Sequence, residues 1–573
     1  MKKELRMSRS RREFLRESGL LSAGLLLPGA LSECSGSAAQ SSALASAPAL
    51  ATHVPTSAAQ VAQQLATAEA WADSPASPQT DITHLLNRIT YGPRPGDAQR
   101  MLDMGWDAFI EQQLQPEQID DSAVEQMLAP LQTLGMSSAE LYAAYPRREQ
   151  QANGPGPRMI VGELQMAALL RAVYSKRQLF ELMVDFWSNH FNIFIGKNQV
   201  RWLKTADDRE VIRAHALGKF RDLLLASAKS PAMLVYLDNI DNVKPVDLPV
   251  DAARRAPNGI NENYAREVME LHAVGADGGY DQADVLALAH TLTGWGMPRK
   301  QDNPDWGAFS FNANRHDDSA KRIDFLNLDI PAGSGIRGGE MALERLATHP
   351  KTAERIARKL AQFFVSDEPA PGLVQRAAQT FVDSDTDIRA TLGVILRSDE
   401  FKASAGQKIK LPLRLYVSAL RALDAQIAPL AVEQRGAPAV LQALQRLGQP
   451  FFGWSPPNGY PQLGMAWVNV GGMLTRWNMV FALVEGRIDG VITDLQQFMV
   501  SPGGAGVSIT AGTLVDRLTG LLPTAISAPA RATLVSYITE GIDDQTRLDA
   551  TQLKRKLPGL VGLLLASPGF QVY

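Results

Sequence analysis

The chain has a single cysteine in 573 residues, Cys34, and it lies ahead of everything that reads as folded. That excludes an intramolecular disulfide, a cysteine-ligated zinc or iron–sulfur centre in the folded part, and a cysteine nucleophile there. Any metal must be held by histidine and carboxylate. Charge of one sign is missing too: Lys and Arg number 57 against 60 Asp and Glu, a formal net of -3. A general nucleic-acid or anionic-membrane role therefore has no support at this level. No G-x-S-x-G, P-loop, H-E-x-x-H or post-strand G-x-G-x-x-G occurs, which disfavours phosphoryl transfer and dinucleotide chemistry. Long apolar runs are lacking as well. The run at residues 20–31 is short and broken by Gly and Pro, so no transmembrane span is expected in the mature protein.

What is present is the composition of a globular protein, 45% hydrophobic and 20% charged, able to bury a substantial core. Residues 1–33 read as an export signal. Ser10-Arg11-Arg12-Glu13-Phe14-Leu15-Arg16 ahead of the apolar segment resembles the twin-arginine type, which implies the twin-arginine export machinery, folding before export, and a place in the periplasm or cell envelope. Leu31-Ser32-Glu33-Cys34 has the layout of a lipoprotein box, but Glu33 stands where that box has Gly or Ala, which argues against lipid anchoring at Cys34. Ser37-Ala38-Ala39 offers small residues for ordinary cleavage instead. Residues 34–80 are rich in Ala, Ser, Pro and Gln and read as a tether, with room for a short helix at 59–71.

Residues 81–573 form the folded domain. Apolar spacing of three and four recurs at 158–190, 207–228, 351–365, 387–397, 411–423, 437–447, 473–484 and 513–537, so the fold class is mainly α, one large helical domain. Strand signals are few. Residues 306–312 and 321–326 alternate around the polar Arg315-His316-Asp317-Asp318-Ser319 and read as a small β-hairpin insertion. Gly393 to Phe401 and Gly562 to Phe570 share a spacing that reads as one helix-ending device, with a Phe folding back.

The stretch 261–295 is the densest in chemistry. Read as a helix it sets Asn263, Arg266, Glu267 and Glu270 on one face, and it continues through a Gly-rich turn into a second helix capped by Asp281 and Asp284. Such a face can perform acid/base chemistry, hold a metal, or lock the helix to a neighbour through an Arg–carboxylate network. His190, His272, His290 and His316, with Glu267, Glu270 and Asp317, are the groups from which a divalent-metal site would be drawn. The set His190, Glu267, Glu270 and His316 would have to converge. On a straight helix His272 lies about 140° around from Glu267 and cannot share a centre with it. His84, His215 and His349 sit at helix starts or within helices, where capping or packing is expected. The aromatic, Pro-rich stretch 451–461 is read either as the wall of a ligand groove or as a rigid lid on the helical core.

The pieces HLLNRITYGP, FWSNHF, NENYAREVMELHAVGADGGYDQADVLALAHTLTGW, HDDSAK, HPKTAERIARKLAQFFVSDEP, SDEF, FGWSPPNGYP and ASPGFQVY resemble, in order, a bacterial family known only as domain of unknown function 1800. The resemblance implies an export signal and a neighbouring exported family, domain of unknown function 1501, which looks sulfatase-like. It names no reaction. Two classes of function stay open: an exported metal-assisted enzyme, and a non-catalytic protein that binds, matures or escorts an exported partner such as that sulfatase-like protein. Changing Arg11 and Arg12 together to Lys is expected to leave the protein in the cytoplasm, as read by cell fractionation. Envelope delivery of the double variant by the twin-arginine route would refute the reading of the signal.

Overall fold

The computed structural model describes residues 78–147, 156–245, 259–428, 437–499, 509–522, 526–541 and 543–573. The signal segment, Cys34, the tether to residue 77 and the helix expected at 59–71 lie outside the described residues. Those that are described are mainly helical, with three small antiparallel strand pairs.

Nine helices position the features that matter below. The first, α1 (Pro78–Ile89), carries the start of the HLLNRITYGP motif. α2 (Arg158–Tyr174) and α3 (Gln178–His190) replace the single helix that the apolar spacing of 158–190 suggests. The break has a polar cause. The Asp121 carboxylate accepts from the Ser175 hydroxyl and the Lys176 amide, both at 2.7 Å, and Ser175 Oγ in turn accepts from the Arg177 amide. Local side-chain bonds of this kind outcompete helix continuation.

α4 (Asn263–Glu267) runs straight into a wider π-helical turn, Val268–His272. The Gly275 amide closes onto Met269 O at 3.0 Å with φ 95°, a conformation glycine adopts without strain. α5 (Gln282–Thr291) then starts from a capping box between Asp281 and Asp284. The helical hairpin over a Gly-rich turn is therefore present. The π turn is an addition that a straight-helix reading does not contain.

The β-hairpin expected between 306–312 and 321–326 is not formed. β1 (Trp295–Gly296) pairs with β2 (Ser310–Phe311), and β3 (Lys321–Ile323) pairs with β4 (Leu328–Ile330). Each run finds a nearer partner: Asn312 N bonds Gly294 O, while β3 turns back onto β4 through Asn327 at φ 46°. α6 (Pro350–Phe364) is capped by His349, whose Nδ1 accepts from the Lys351 amide, as its place at a helix start suggests. α7 (Pro412–Ala422), α8 (Val470–Val484) and α9 (Ala550–Ala566) complete the set, and β5 (Gln426–Ile427) pairs with β6 (Val491–Ile492).

Buried arginines tie the two ends of the described chain together. Arg414 on α7 donates Nη1 to the carbonyls of Asn87, Arg88 and Thr90 at the C-terminal end of α1. Arg421, one face further along, donates to Gly92 O and Val173 O and reaches Asp97 at 3.1 Å. Arg476 on α8 bonds Lys410 O and Gln571 Oε1. Both Arg88 and Arg414 lie over the Tyr573 ring, at 4.6 and 5.2 Å from its centroid. Planar guanidinium groups suit this task, since each spreads several donors over backbone carbonyls that helix ends leave open. Arg421→Ala strips the donors from two interior carbonyls and from Asp97, and is expected to cost about 3 kcal/mol in a urea titration of the folded protein. A loss within experimental error would show that this stitch is dispensable.

Candidate functional site

The polar side chains of α4 are each held by near neighbours. Asn263 Nδ2 donates to Leu237 O at 3.1 Å, and its amide is held by Asn261 Oδ1. Arg266 bonds Glu262 at 2.8 Å and Gln282 at 2.7 Å, with Glu270 at 3.8 Å on its other side. Tyr280 lies beside Glu270, and its phenol is pushed up by burial and by that carboxylate. Glu267 is buried and engaged. The π turn explains the split: widening the helix after Glu267 changes the phase of the residues beyond it.

The histidines go to different places. His316 donates Nδ1–H to Thr293 O at 2.8 Å, and His290 pairs with Asp317 at 2.6 Å. Burial opposes the Asp317 charge, but bonds from Ser319 and His290 together with Lys321 outweigh it and hold the carboxyl well below its ordinary value. His190 lies among Phe186, Trp187, Phe191 and Phe220. Among the described residues, no group of three or more His, Cys, Asp or Glu side chains is placed to hold a metal ion. His190, Glu267, Glu270 and His316 do not meet at one point.

What does meet is a cluster of basic groups behind α3. Lys359 Nζ on α6 donates to His190 Nδ1 at 2.8 Å, and His190 Nε2–H donates to His272 O at 3.0 Å. The two imidazoles sit 6.2 Å apart, and neither ring nitrogen of His272 has a hydrogen-bond partner among the described residues. Arg355, one turn before Lys359, donates to Leu271 O at 3.2 Å. Burial, then Lys359 and Arg355, lowers the His272 imidazole to about 3, and burial followed by Arg355 lowers the Lys359 amine to about 7.

The opposite side of α3 carries a clamp and a cavity. Asn189 donates Nδ2 to Tyr460 O at 3.0 Å and accepts the Tyr460 amide at 2.6 Å, while Asn192 donates to Trp454 O and Pro456 O. Gln165, Ile195 and Tyr236 fix Phe451 O, Phe452 O and Ser455 O. The stretch 451–461 is thus a rigid lid. Gly459 is required at its turn: its φ is 73°, and a Cβ there would stand 2.3 Å from Asn189 O. Phe452 adopts φ 57°, a costly conformation for a bulky residue and of a kind that gathers at functional sites. Under the lid, two cavities of about 30 Å³ each share Asp185, Ser188, Phe451 and Phe452 as walls. Each has room for water and not for an organic substrate. Burial pushes the Asp185 carboxyl up to about 6, against the pull of Arg414.

Asp185 and Lys359 did not stand out in the sequence. The available signals were a lone carboxylate inside the apolar stripe LMVDFW, and a lysine one turn after an arginine beside the apolar face Ile356, Leu360 and Phe363. Both patterns occur in ordinary helices, so pattern alone does not select them.

A mainly helical chain with a clamped aromatic lid and a buried basic cluster on either side of one central helix is the class that these features define. The sequence profile of the family described as protein of unknown function (DUF1800) matches residues 84–572, and the chain belongs to that family. No curated protein and no solved structure matches it.

The Asp185 carboxyl carries a pH signature. Its folded value, about 6, lies above the ordinary 3.8. As pH rises from the lower value to the higher, the unfolded chain loses its proton while the folded one keeps it, so the unfolded state binds fewer protons and stability falls. Asp185→Asn removes this penalty. It is expected to stabilise the protein by on the order of 2 kcal/mol at pH 7 and by little at pH 3.5, read from denaturant midpoints at the two pH values. An equal effect at both would sink this account of Asp185.

Proposed function

We propose that this protein is an exported binding or escort protein of the cell envelope, and that it engages a folded protein partner through residues 463–474. One observation carries the reading. Most of the exposed large apolar side chains among the described residues, namely Leu463, Met465, Val468, Val470 and Leu474, fall in that short stretch, with Met465 69% and Val470 81% exposed. Val470 and Leu474 lie at i and i+4 on the first turns of α8, capped by Asn469, so they present one face outward. The clamped lid directly precedes them and holds the approach fixed. A contiguous apolar surface of this kind marks an interaction site.

Charge argues for a protein over a lipid surface, since residues 447–475 contain no Asp, Glu, Lys or Arg to meet anionic headgroups. No described helix is long and apolar enough to cross a membrane. The commitment of Arg266, Glu270, His290 and His316 to nearby partners favours this class over a metal-assisted enzyme. The sulfatase-like neighbour implied by the family resemblance is the partner to test. Co-exported with it, the wild-type protein is expected to co-purify as a heteromer. Val470→Asp with Met465→Asp should weaken that complex by roughly a hundredfold while circular dichroism and Tm stay unchanged. A wild-type protein that self-associates through the strip, or that binds neutral vesicles there and ignores the neighbour, would overturn the proposal.

A further inference from the structure

The basic cluster behind α3 is not used by the docking strip, and its geometry has the form of an activated nucleophile. Three groups stand in series: the Lys359 amine, the His190 ring 2.8 Å from it, and the His272 carbonyl 3.0 Å beyond. The carbonyl can only accept, so His190 carries its proton on Nε2 and turns the Nδ1 lone pair to the amine. A nucleophile in reach of a base that a third group orients is the arrangement shared by covalent catalysts. Among the described residues no carboxylate hydrogen-bonds Lys359; the charged and titratable groups acting on the cluster are Lys359, Arg355 and His272, with Tyr280 acting on Arg355. Lys359 and Arg355 are half-buried as residues, with the amine itself drawn into the interior, whereas His190 and His272 are buried outright.

Arg355 and Lys359 are one helical turn apart on α6, on the same face, and the guanidinium charge is felt at the amine. The Arg355 guanidinium spends Nη2 on Leu271 O, and its buried Nε has no hydrogen-bond partner among the described residues. A fixed guanidinium beside a reactive amine selects a carboxylate next to a carbonyl.

We propose that Lys359 is a nucleophilic amine that condenses with the keto carbon of a 2-oxo acid, with His190 as its base and Arg355 holding the carboxylate. The amine nitrogen attacks the carbonyl carbon, forming the C–N bond as the C=O π pair moves to oxygen. Both amine protons end on that oxygen, with His190 Nδ1 taking one from nitrogen and returning it to the departing hydroxyl. Water leaves and a C=N bond to Lys359 remains. The lowered amine, about 7, supports this by leaving a large neutral fraction at neutral pH.

The test uses the full chain with pyruvate as the probe and cyanoborohydride to fix any imine, followed by peptide mapping. The adduct is expected at Lys359 roughly tenfold above the exposed Lys351 on the same helix, with a pH midpoint near 7 instead of 10.5. With propanal, which lacks the carboxylate, Lys359 should still react. Arg355→Met should lower the pyruvate adduct and spare the propanal one, and His190→Phe should slow both, each variant first shown to be folded by circular dichroism. Adducts spread evenly over exposed lysines, or a Lys359 midpoint near 10.5, would overturn the nucleophile. An unchanged pyruvate-to-propanal ratio in Arg355→Met would overturn the 2-oxo acid. None of these readouts involves residues 463–474, so the docking proposal stands or falls separately.

Discussion

The paired bonds between Asn189 and the backbone of Tyr460 are the contact on which the rest of the arrangement depends. A side-chain amide has the same donor and acceptor as a peptide unit, so Asn189 docks onto Tyr460 as a strand neighbour would, from the end of a helix. With the bonds from Gln165, Asn192, Ile195 and Tyr236, that pairing holds the aromatic stretch against α3, walls one of the two cavities over Asp185, and sets where the chain emerges toward α8. Asn192 repeats the device one step on, with two carbonyls. Buried backbone groups outside regular structure need such partners, and Asn189 in the FWSNHF motif and Asn192 just after it supply them in one place.

The same rule governs the interior elsewhere. Arg414, Arg421 and Arg476 are buried with few carboxylates and many carbonyls. An interior stitched by guanidinium-to-carbonyl bonds joins segments far apart in sequence without requiring a sheet, which suits a fold whose strands are only two or three residues long. It also makes α3 a divider. Its Asn189 and Asp185 side serves the lid, its His190 side serves the basic cluster, and the two polar regions are kept apart by Phe186 and Trp187, both fully buried.

The sequence made the helices legible, because apolar spacing, the Asp281–Asp284 box and the His349 cap are local signals. The paired helix-ending device was also readable: Phe401 and Phe570 are both buried after Ser398 and Ser567, as their spacing suggests. The break at 175–177 was not, since its cause, Asp121, lies more than fifty residues away. The strand partners failed for the same reason: alternation marks 306–312 and 321–326 as extended but says nothing of which edge each will meet. For the candidate site, a hundred-degree wheel placed Glu267 and Glu270 together and His272 apart. The chain instead buries Glu267 and His272 and leaves Glu270 with Arg266. Lys359 and Asp185 owe their character to surroundings assembled from distant segments, which no local pattern records.

The π turn at Val268–His272 amounts to one residue more than an α-helix would use. Losing any single codon there would restore the narrower spiral and swing everything on one side of the deletion by about 100° relative to the other. The Gly-rich turn that follows can take up the slack before Asp281 starts the next helix. His272 would then leave the interior, and His190 would lose the carbonyl that decides which of its nitrogens bears the proton. A whole constellation is thus gated by the count of residues in one loop of helix, a quantity that insertion and deletion alter in a single event while every amino-acid identity around it stays the same.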